Sequence, residues 1–284
     1  MSIRATVTRP ELFYHHTYDE HPDSGMRHCH DQYEMYFFIS GSGEFFIEGS
    51  QVNLFPYTLL LMRPVEFHYF HLTGSTPYER CALHFSASLL PEPDRAFLLS
   101  SFGIPDSAVP ETPVYPIQQY PELIAAFSRL DRSCKLPEDE QILMIRSILM
   151  EILTMLIGCR RRPRQTESSA KLLTRTLISE IVDYLNAHLS ERLSLDQLTS
   201  HFFISKYHLC RTFKQSTGLT VLEYMTEKRI FLAKALLQQG VGPTAVAGRC
   251  GFTDYSAFYR AFKHLTGYSP SQVNRNQPEE SPDS

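Results

Sequence analysis

Through the first 90 residues, apolar side chains come in short dense runs rather than in helical steps. The runs Tyr33–Ile39, Glu44–Glu48, Thr58–Met62 and Phe67–Leu72 are rich in aromatic and branched residues. Turn-forming triplets separate them: Gly41-Ser42-Gly43, Glu48-Gly49-Ser50 and Thr73-Gly74-Ser75. Such runs suit a pleated, half-buried surface, and their even spacing predicts a small β-sandwich or barrel. Residues 91–118 follow with six prolines and read as a loop crossing the surface.

From Pro121 the period becomes helical. Helices are expected over Pro121–Arg132 and Pro137–Gly158, each opening near a proline, as a first helical turn permits. In the second, Ile142, Ile145, Leu149, Ile152 and Leu156 alternate in steps of three and four, a seam of about two heptads. A seam of that length suits either a dimer contact or a helix packed on its own barrel. Residues 160–170, which open on Arg160-Arg161-Arg162-Pro163-Arg164, are polar and proline-broken and read as a linker.

Beyond the linker one segment occurs twice. Arg211-Thr212-Phe213-Lys214-Gln215-Ser216-Thr217-Gly218 returns, 49 residues on, as Arg260-Ala261-Phe262-Lys263-His264-Leu265-Thr266-Gly267. Ser205 and Asp254, both helix-capping types, keep the same offset, as do Leu209 and Phe258. Each copy predicts a short helix with Leu209 and Phe213, or Phe258 and Phe262, on its buried face. Gly218 and Gly267 supply the left-handed residue that ends it. A supporting helix is expected before each. The first opens on the capping box Ser194-Leu195-Asp196-Gln197, and the second is capped by Thr244, with Gly251 making the turn that follows. Thr220-Val221-Leu222-Glu223 caps a longer helix that joins the two copies. Helix, turn and outward second helix form a DNA-reading unit, and an outward Arg can pair bidentately with guanine.

Charge sharpens this reading. Residues 1–159 hold 10 Lys and Arg against 20 Asp and Glu, whereas residues 171–275 hold 13 against 7. An acidic front and a basic rear predict that only the rear meets phosphate. The N-terminus shows no leader pattern. The apolar run Ile142–Ile157 carries Arg146 and Glu151 and falls short of a membrane span. Six cysteines without a CxxC pair read as reduced thiols. A cytoplasmic protein without a membrane partner is expected.

From about Leu177 to Val273 the chain resembles the C-terminal domain of AraC/XylS-type transcription regulators. The matching residues are Ser205, Leu209, Arg211, Phe213, Lys214 and Gly218, then Gly251-Phe252, Asp254, Ser256, Phe258, Arg260, Phe262-Lys263, Thr266-Gly267 and Ser269-Pro270. The resemblance implies base-reading positions at Tyr207, Cys210 and Arg211 in the first unit, and at Tyr255, Ser256, Tyr259 and Arg260 in the second. His208, Lys214 and Lys263 join them on the outward faces. Pro243 and Val273-Asn274 depart from the family pattern and leave the second unit's outer packing open.

In the front half, His28-x-His30-x-x-x-Glu34 with Gly41, and Pro64-x-x-x-His68, resemble the two cupin motifs. In an enzyme cupin His28, His30, Glu34 and His68 would hold a transition metal. Here the glycine expected before His28 and the spacing of the second motif are missing. AraC-type sensor domains keep this pattern while binding an organic effector, so no metal or other cofactor is favoured. Tyr36, Arg80 and His84 are expected to line the effector pocket with His28, His30, Glu34 and His68.

The expected architecture is α+β with two domains. A cupin-like effector barrel (1–118), a helical dimerisation segment (119–159), a linker (160–170) and a double helix-turn-helix domain (171–284) follow in order. The implied function is that of a non-enzymatic activator answering a small polar effector, a sugar among them. Its implied partners are double-stranded promoter DNA, RNA polymerase and a second copy of the chain. Two alternatives stay open: a metal-dependent cupin enzyme fused to a DNA-binding module, and a DNA-binding protein whose front half serves only assembly.

Overall fold

The computed structural model describes residues 1–21, 24–25, 28–73, 76–103, 114–161, 173–174 and 177–273. The chain divides into two compact units, Met1–Thr174 and Arg175–Ser284. The expected linker falls almost wholly outside the described residues.

Among the described residues the first unit carries ten strands. They are β1 (Ser2–Arg9), β2 (Leu12–Asp19), β3 (Tyr33–Ser40), β4 (Gly43–Ile47), β5 (Ser50–Leu54), β6 (Thr58–Met62), β7 (His68–Leu72), β8 (Tyr78–Phe85), β9 (Val114–Pro116) and β10 (Leu173–Thr174). Six form one sheet in the order β1-β2-β8-β3-β6-β9, and four form a second in the order β10-β5-β4-β7. All four runs marked in the sequence are strands. The centre of the larger sheet is buried on both faces, which is why Leu59-Leu60-Leu61-Met62 reads as a continuous apolar run instead of an alternation. Along β3, Met35 and Phe37 join a core with the helices that follow, while Tyr36 and Phe38 join one with Phe45, Val52 and Leu54 of the smaller sheet. Successive side chains of a strand point to opposite faces, so one strand serves both cores.

Residues 91–103 and 114–118 are not the surface loop that the prolines of this stretch suggested. Pro91 and Pro93 sit at the start of helix α1 (Glu92–Leu99), where a missing N–H costs nothing. Leu98, Phe102 and Ile117 are buried, and β9 pairs with β6 from Thr58↔Pro116 to Leu60↔Val114. Residues 104–113 lie outside the described residues.

Helices α2 (Pro121–Ser133) and α3 (Glu138–Arg161) follow. Ile145, Leu149, Ile152 and Leu156 are fully buried in the core shared with the larger sheet, and Ile142 packs against it. The heptad seam is therefore spent within the chain, and the exposed large apolar residues of the helix are Leu143 and Met144. By length and composition Glu138–Cys159 is apolar enough to cross a membrane, but here its inward side chains are packed on the sheet.

A buried polar network pins α2 to the sheet. His16 Nδ1 lies 2.9 Å from Asp131 Oδ2 and its Nε2 lies 3.0 Å from Glu79 Oε1. Tyr14 donates to Asp131 at 2.7 Å, and Arg4 pairs with Glu79. Burial works against charging His16, but Asp131 and Glu79 outweigh it and raise its pKa above the ordinary 6.5. A raised folded-state value means stability present in full below about pH 6.5 and lost as pH rises through the folded value. The melting temperature of the full chain is therefore expected to fall more steeply above pH 6.5 than that of His16→Gln. Parallel melting curves for the two proteins would remove the network from the stability of this unit.

The second unit is helical: α4 (Leu177–Ala187), α5 (Leu195–Phe202), α6 (Lys206–Thr217), α7 (Val221–Gln238), α8 (Pro243–Arg249) and α9 (Tyr255–Thr266). The caps fall where the sequence put them, with one exception. Ser194 and Gln197, and Thr220 and Glu223, form reciprocal capping boxes. Ser205 accepts from the His208 N–H, and Asp254 from the Ala257 N–H. Thr244 does not cap α8. Pro243 takes the first helical position behind Gly242, because its fixed φ suits a helix start. Val273 is buried in the second unit's core, so the packing there is closed at that position; Asn274 lies outside the described residues.

Candidate nucleic-acid interface and barrel histidine cluster

The repeat is reproduced at the level of single hydrogen bonds. Leu209, Phe213, Phe258 and Phe262 are fully buried. Thr217 donates to Phe213 O at 2.7 Å and Thr266 to Phe262 O at 2.7 Å, and both helices close on a left-handed glycine, Gly218 at φ 72° and Gly267 at φ 79°. Before the second unit, Gly251 turns at φ 74°, where a Cβ would stand 2.8 Å from the carbonyl oxygens of Leu189 and Ser190. Arg229 of α7 donates to the carbonyls of Leu189 and Glu191. The loop after α4 is thereby tied both to the connecting helix and to the second turn.

With those faces spent on the core, the opposite faces are presented to solvent. Tyr207, His208, Cys210, Arg211 and Lys214 of α6 are exposed, as are Tyr255, Ser256, Tyr259, Arg260 and Lys263 of α9. Tyr207 is 73% exposed, far more than a packed tyrosine would be. The tyrosines of α9, one turn apart, lie with ring centroids 6.3 Å from each other. Asp254, at the N-terminus of α9, has its pKa lowered by the Ala257 N–H it caps. All ten outward residues expected from the sequence are on the surface of their helices.

In the barrel, five of the seven expected pocket residues converge. Glu34 Oε2 lies 3.0 Å from His30 Nε2 and 3.0 Å from His68 Nε2, and Glu34 Oε1 lies 3.6 Å from His84 Nε2. His28 joins through a single antiparallel bridge to His68, not through a strand face shared with His30, and its ring centroid is 4.4 Å from that of His68. The register of β3 against β8 sets Glu34 opposite His84. Tyr36 and Arg80 belong to an adjoining aromatic layer. Arg80 lies 5.5 Å from the Tyr36 ring and 5.7 Å from Phe70, and Tyr36 hydrogen-bonds Tyr78.

The electrostatics of the cluster centre on Glu34. Burial opposes its ionisation, but the facing imidazoles of His84 and His68 prevail and hold its carboxyl well below the usual range. Burial likewise opposes charge on His68, and Glu34 overrides it, raising the pKa. Burial keeps the His84 pKa well below the ordinary histidine value despite the same carboxylate. Two sets of ligand atoms come within metal-binding reach, His28-His30-His68 and His30-Glu34-His84. The set His16-Cys81-Asp131 does so as well, but both ring nitrogens of His16 already face carboxylates. The sequence reading missed His16, Tyr78 and Asp131, whose partners lie more than 40 residues away and leave no local pattern.

Residues 12–153 match the family model of the AraC-like ligand binding domain, and residues 198–276 match that of a helix-turn-helix domain. The HTH-type transcriptional activator RhaS of Escherichia coli is 25% identical over 259 residues, covering 88% of this chain and 87% of RhaS. The probable transcriptional regulator LumQ of Photobacterium leiognathi is 36% identical over 93 residues, and an uncharacterized HTH-type transcriptional regulator of Staphylococcus aureus is 31% identical over 117. These matches span 32% and 41% of this chain but only 38% and 16% of those two relatives. Among solved structures, ToxT of Vibrio cholerae aligns over 94% of this chain and 100% of its own, at 12% identity and a TM-score of 0.40. The DNA-binding domain of AdpA, solved with a target DNA, aligns over 35% of this chain and 96% of its own, at 28% identity and a TM-score of 0.33. With its front half matched by the ligand-binding model and its rear by the helix-turn-helix model, the chain belongs to the AraC-type family of transcription regulators.

Proposed function

We propose that this chain is a promoter-binding activator whose two recognition helices, α6 and α9, enter successive major grooves of double-stranded DNA. The observation that carries this reading is the doubled outward face, with Arg211 and Arg260 49 residues apart on helices whose inward faces are fully buried. An Arg on such a face reaches guanine O6 and N7 through two parallel hydrogen bonds. Tyr207, Cys210, Tyr255, Ser256 and Tyr259 read neighbouring base edges, while His208, Lys214 and Lys263 contact phosphate and fix the register. The barrel binds a small polar effector, the chain works in the cytoplasm as a homodimer, and RNA polymerase is the partner at the promoter. The likeness to RhaS, named as an activator, supports the direction of regulation.

Arg211→Ala and Arg260→Ala are each expected to weaken specific binding by about 1–3 kcal/mol, the worth of one bidentate base contact. Binding to unrelated DNA at the same salt should change far less, since phosphate contacts carry that affinity. A titration in which either variant matches the wild type on its promoter would take that helix out of base reading.

A further inference from the structure

The barrel cluster gathers three imidazoles about one buried carboxylate. Among the residues around Glu34, His30 has its Nδ1 3.0 Å from the Gln32 carbonyl oxygen. A carbonyl only accepts, so Nδ1 donates to it, and in the neutral ring the lone pair is on Nε2. Nε2 lies 3.0 Å from Glu34 Oε2, a hydrogen bond when the ring is protonated and a pair of ligand atoms when it is neutral. A ring N–H held by a backbone carbonyl is also the usual outer support of a metal-binding histidine. His84 supplies the independent observation. Its side chain is 3% exposed, its Nδ1 has no hydrogen-bond partner among the described residues, and its Nε2 is 3.6 Å from Glu34 Oε1, longer than a hydrogen bond. Native structures rarely leave a buried polar group without a partner.

We propose that His30, Glu34 and His84 hold one divalent first-row transition-metal ion inside the barrel. Their ligand atoms lie within 4.8 Å of one another, and they form a set of two imidazoles and one carboxylate. Such a set suits iron, zinc, nickel or manganese and leaves coordination positions open for a ligand. His28 and His68 stand beside this set, with ring centroids 4.4 Å apart. His68, with Nδ1 2.8 Å from the Glu66 carbonyl and Nε2 beside Glu34 Oε2, positions the carboxylate. The set differs from the one implied by the motif resemblance, because it takes His84 from β8 in place of His28 and His68. The proposal deepens the sensor reading above and rests on it for one consequence alone, that the effector is a molecule with oxygen donors completing the ion's coordination.

The test uses the full-length chain, stripped with a chelator, dialysed and titrated with Co²⁺ while its visible absorption is recorded. One equivalent is expected to bind, giving the absorption of a nitrogen- and oxygen-ligated ion, and Zn²⁺ should displace it. Glu34→Gln and His84→Gln should each weaken binding by more than the roughly 10–100-fold that loss of an outer partner costs. His15→Gln, whose ring centroid is 6.3 Å from that of His84, should bind Co²⁺ as the wild type does. Melting of every variant in excess chelator separates a lost ligand from a lost fold. Folded wild type that takes up no Co²⁺ overturns the proposal, and so does unchanged uptake by folded His84→Gln. Promoter affinity of the same preparations is measured alongside. Retained DNA binding without metal uptake overturns the metal centre alone, and metal uptake without DNA binding overturns the regulator reading alone.

Discussion

Replacing Phe213 or Phe262 by alanine is expected to cost about 3–5 kcal/mol, enough to unfold the helix-turn-helix unit concerned. Both rings are fully buried. Phe213 meets Tyr224 edge-on at 5.6 Å, and Phe262 meets Phe258 at 5.6 Å and Tyr268 at 5.9 Å. No small side chain refills such a space, so the loss is the transfer energy of the ring plus the cavity left behind. Denaturant titration followed by hydrogen exchange would locate the damage. Phe213→Ala should open α6 and its contacts with α7, and Phe262→Ala should open α9 and α8. The measurement also bears on DNA reading. Phe213 and Arg211 are two residues apart on one helix, about 200° around its axis, and the same holds for Phe262 and Arg260. A variant that melts like the wild type would mean the helix is turned about its axis, which would carry the arginine inward as well.

This coupling explains why the rear unit was so legible in the sequence. Its contacts are local: a capping serine three residues from the N–H it accepts, a glycine one residue past a helix, a phenylalanine four residues from a leucine. Each leaves a pattern within one or two turns, and the pattern occurs twice. The misplaced cap at Thr244 shows the limit, since Pro243 and Thr244 both suit a helix start and only the observed geometry chooses between them. The front unit was legible in outline alone. Its four strongest strands stood out by aromatic and branched content, but β2 and β8 mix polar and apolar residues and pair across a long stretch of chain, from Leu12↔Phe85 to Asp19↔Tyr78. His84 could be suspected of facing the pocket, yet its place opposite Glu34 depends on the register of β3 against β8. Pro91 and Pro93 misled because proline excludes a helix interior but welcomes a helix start. The missing motif glycines argued against a metal, although the side chains that would hold one converge through strand pairing that no local spacing encodes.

The geometry of the rear unit leads to the sharpest functional expectation. Helix α7, with 18 residues, is about 27 Å long at 1.5 Å per residue, and it separates the two helix-turn-helix units. Major-groove faces on one side of a duplex recur about every 34 Å, or roughly 10 base pairs. With the turns at its ends, α7 has the length to set two recognition helices in successive grooves on one side. It also has the rigidity, since Arg229 and the Gly251 turn both fasten on the loop after α4. The two targets are therefore expected to tolerate little change in spacing. Inserting about five base pairs between them turns the second target by roughly half a turn to the far side of the duplex. A single rear unit would then hold one target only, and specific binding should fall to the level of a half-site. Inserting about ten base pairs restores the facing but adds a full turn of distance, which α7 cannot span, so binding should stay low. Footprinting at fixed salt on the three promoters reads both expectations. Unchanged protection after the half-turn insertion would mean that one unit alone reads DNA. The separate effects of Arg211→Ala and Arg260→Ala on that promoter would then identify which helix it is, because the reading helix alone would lose affinity when its arginine is removed.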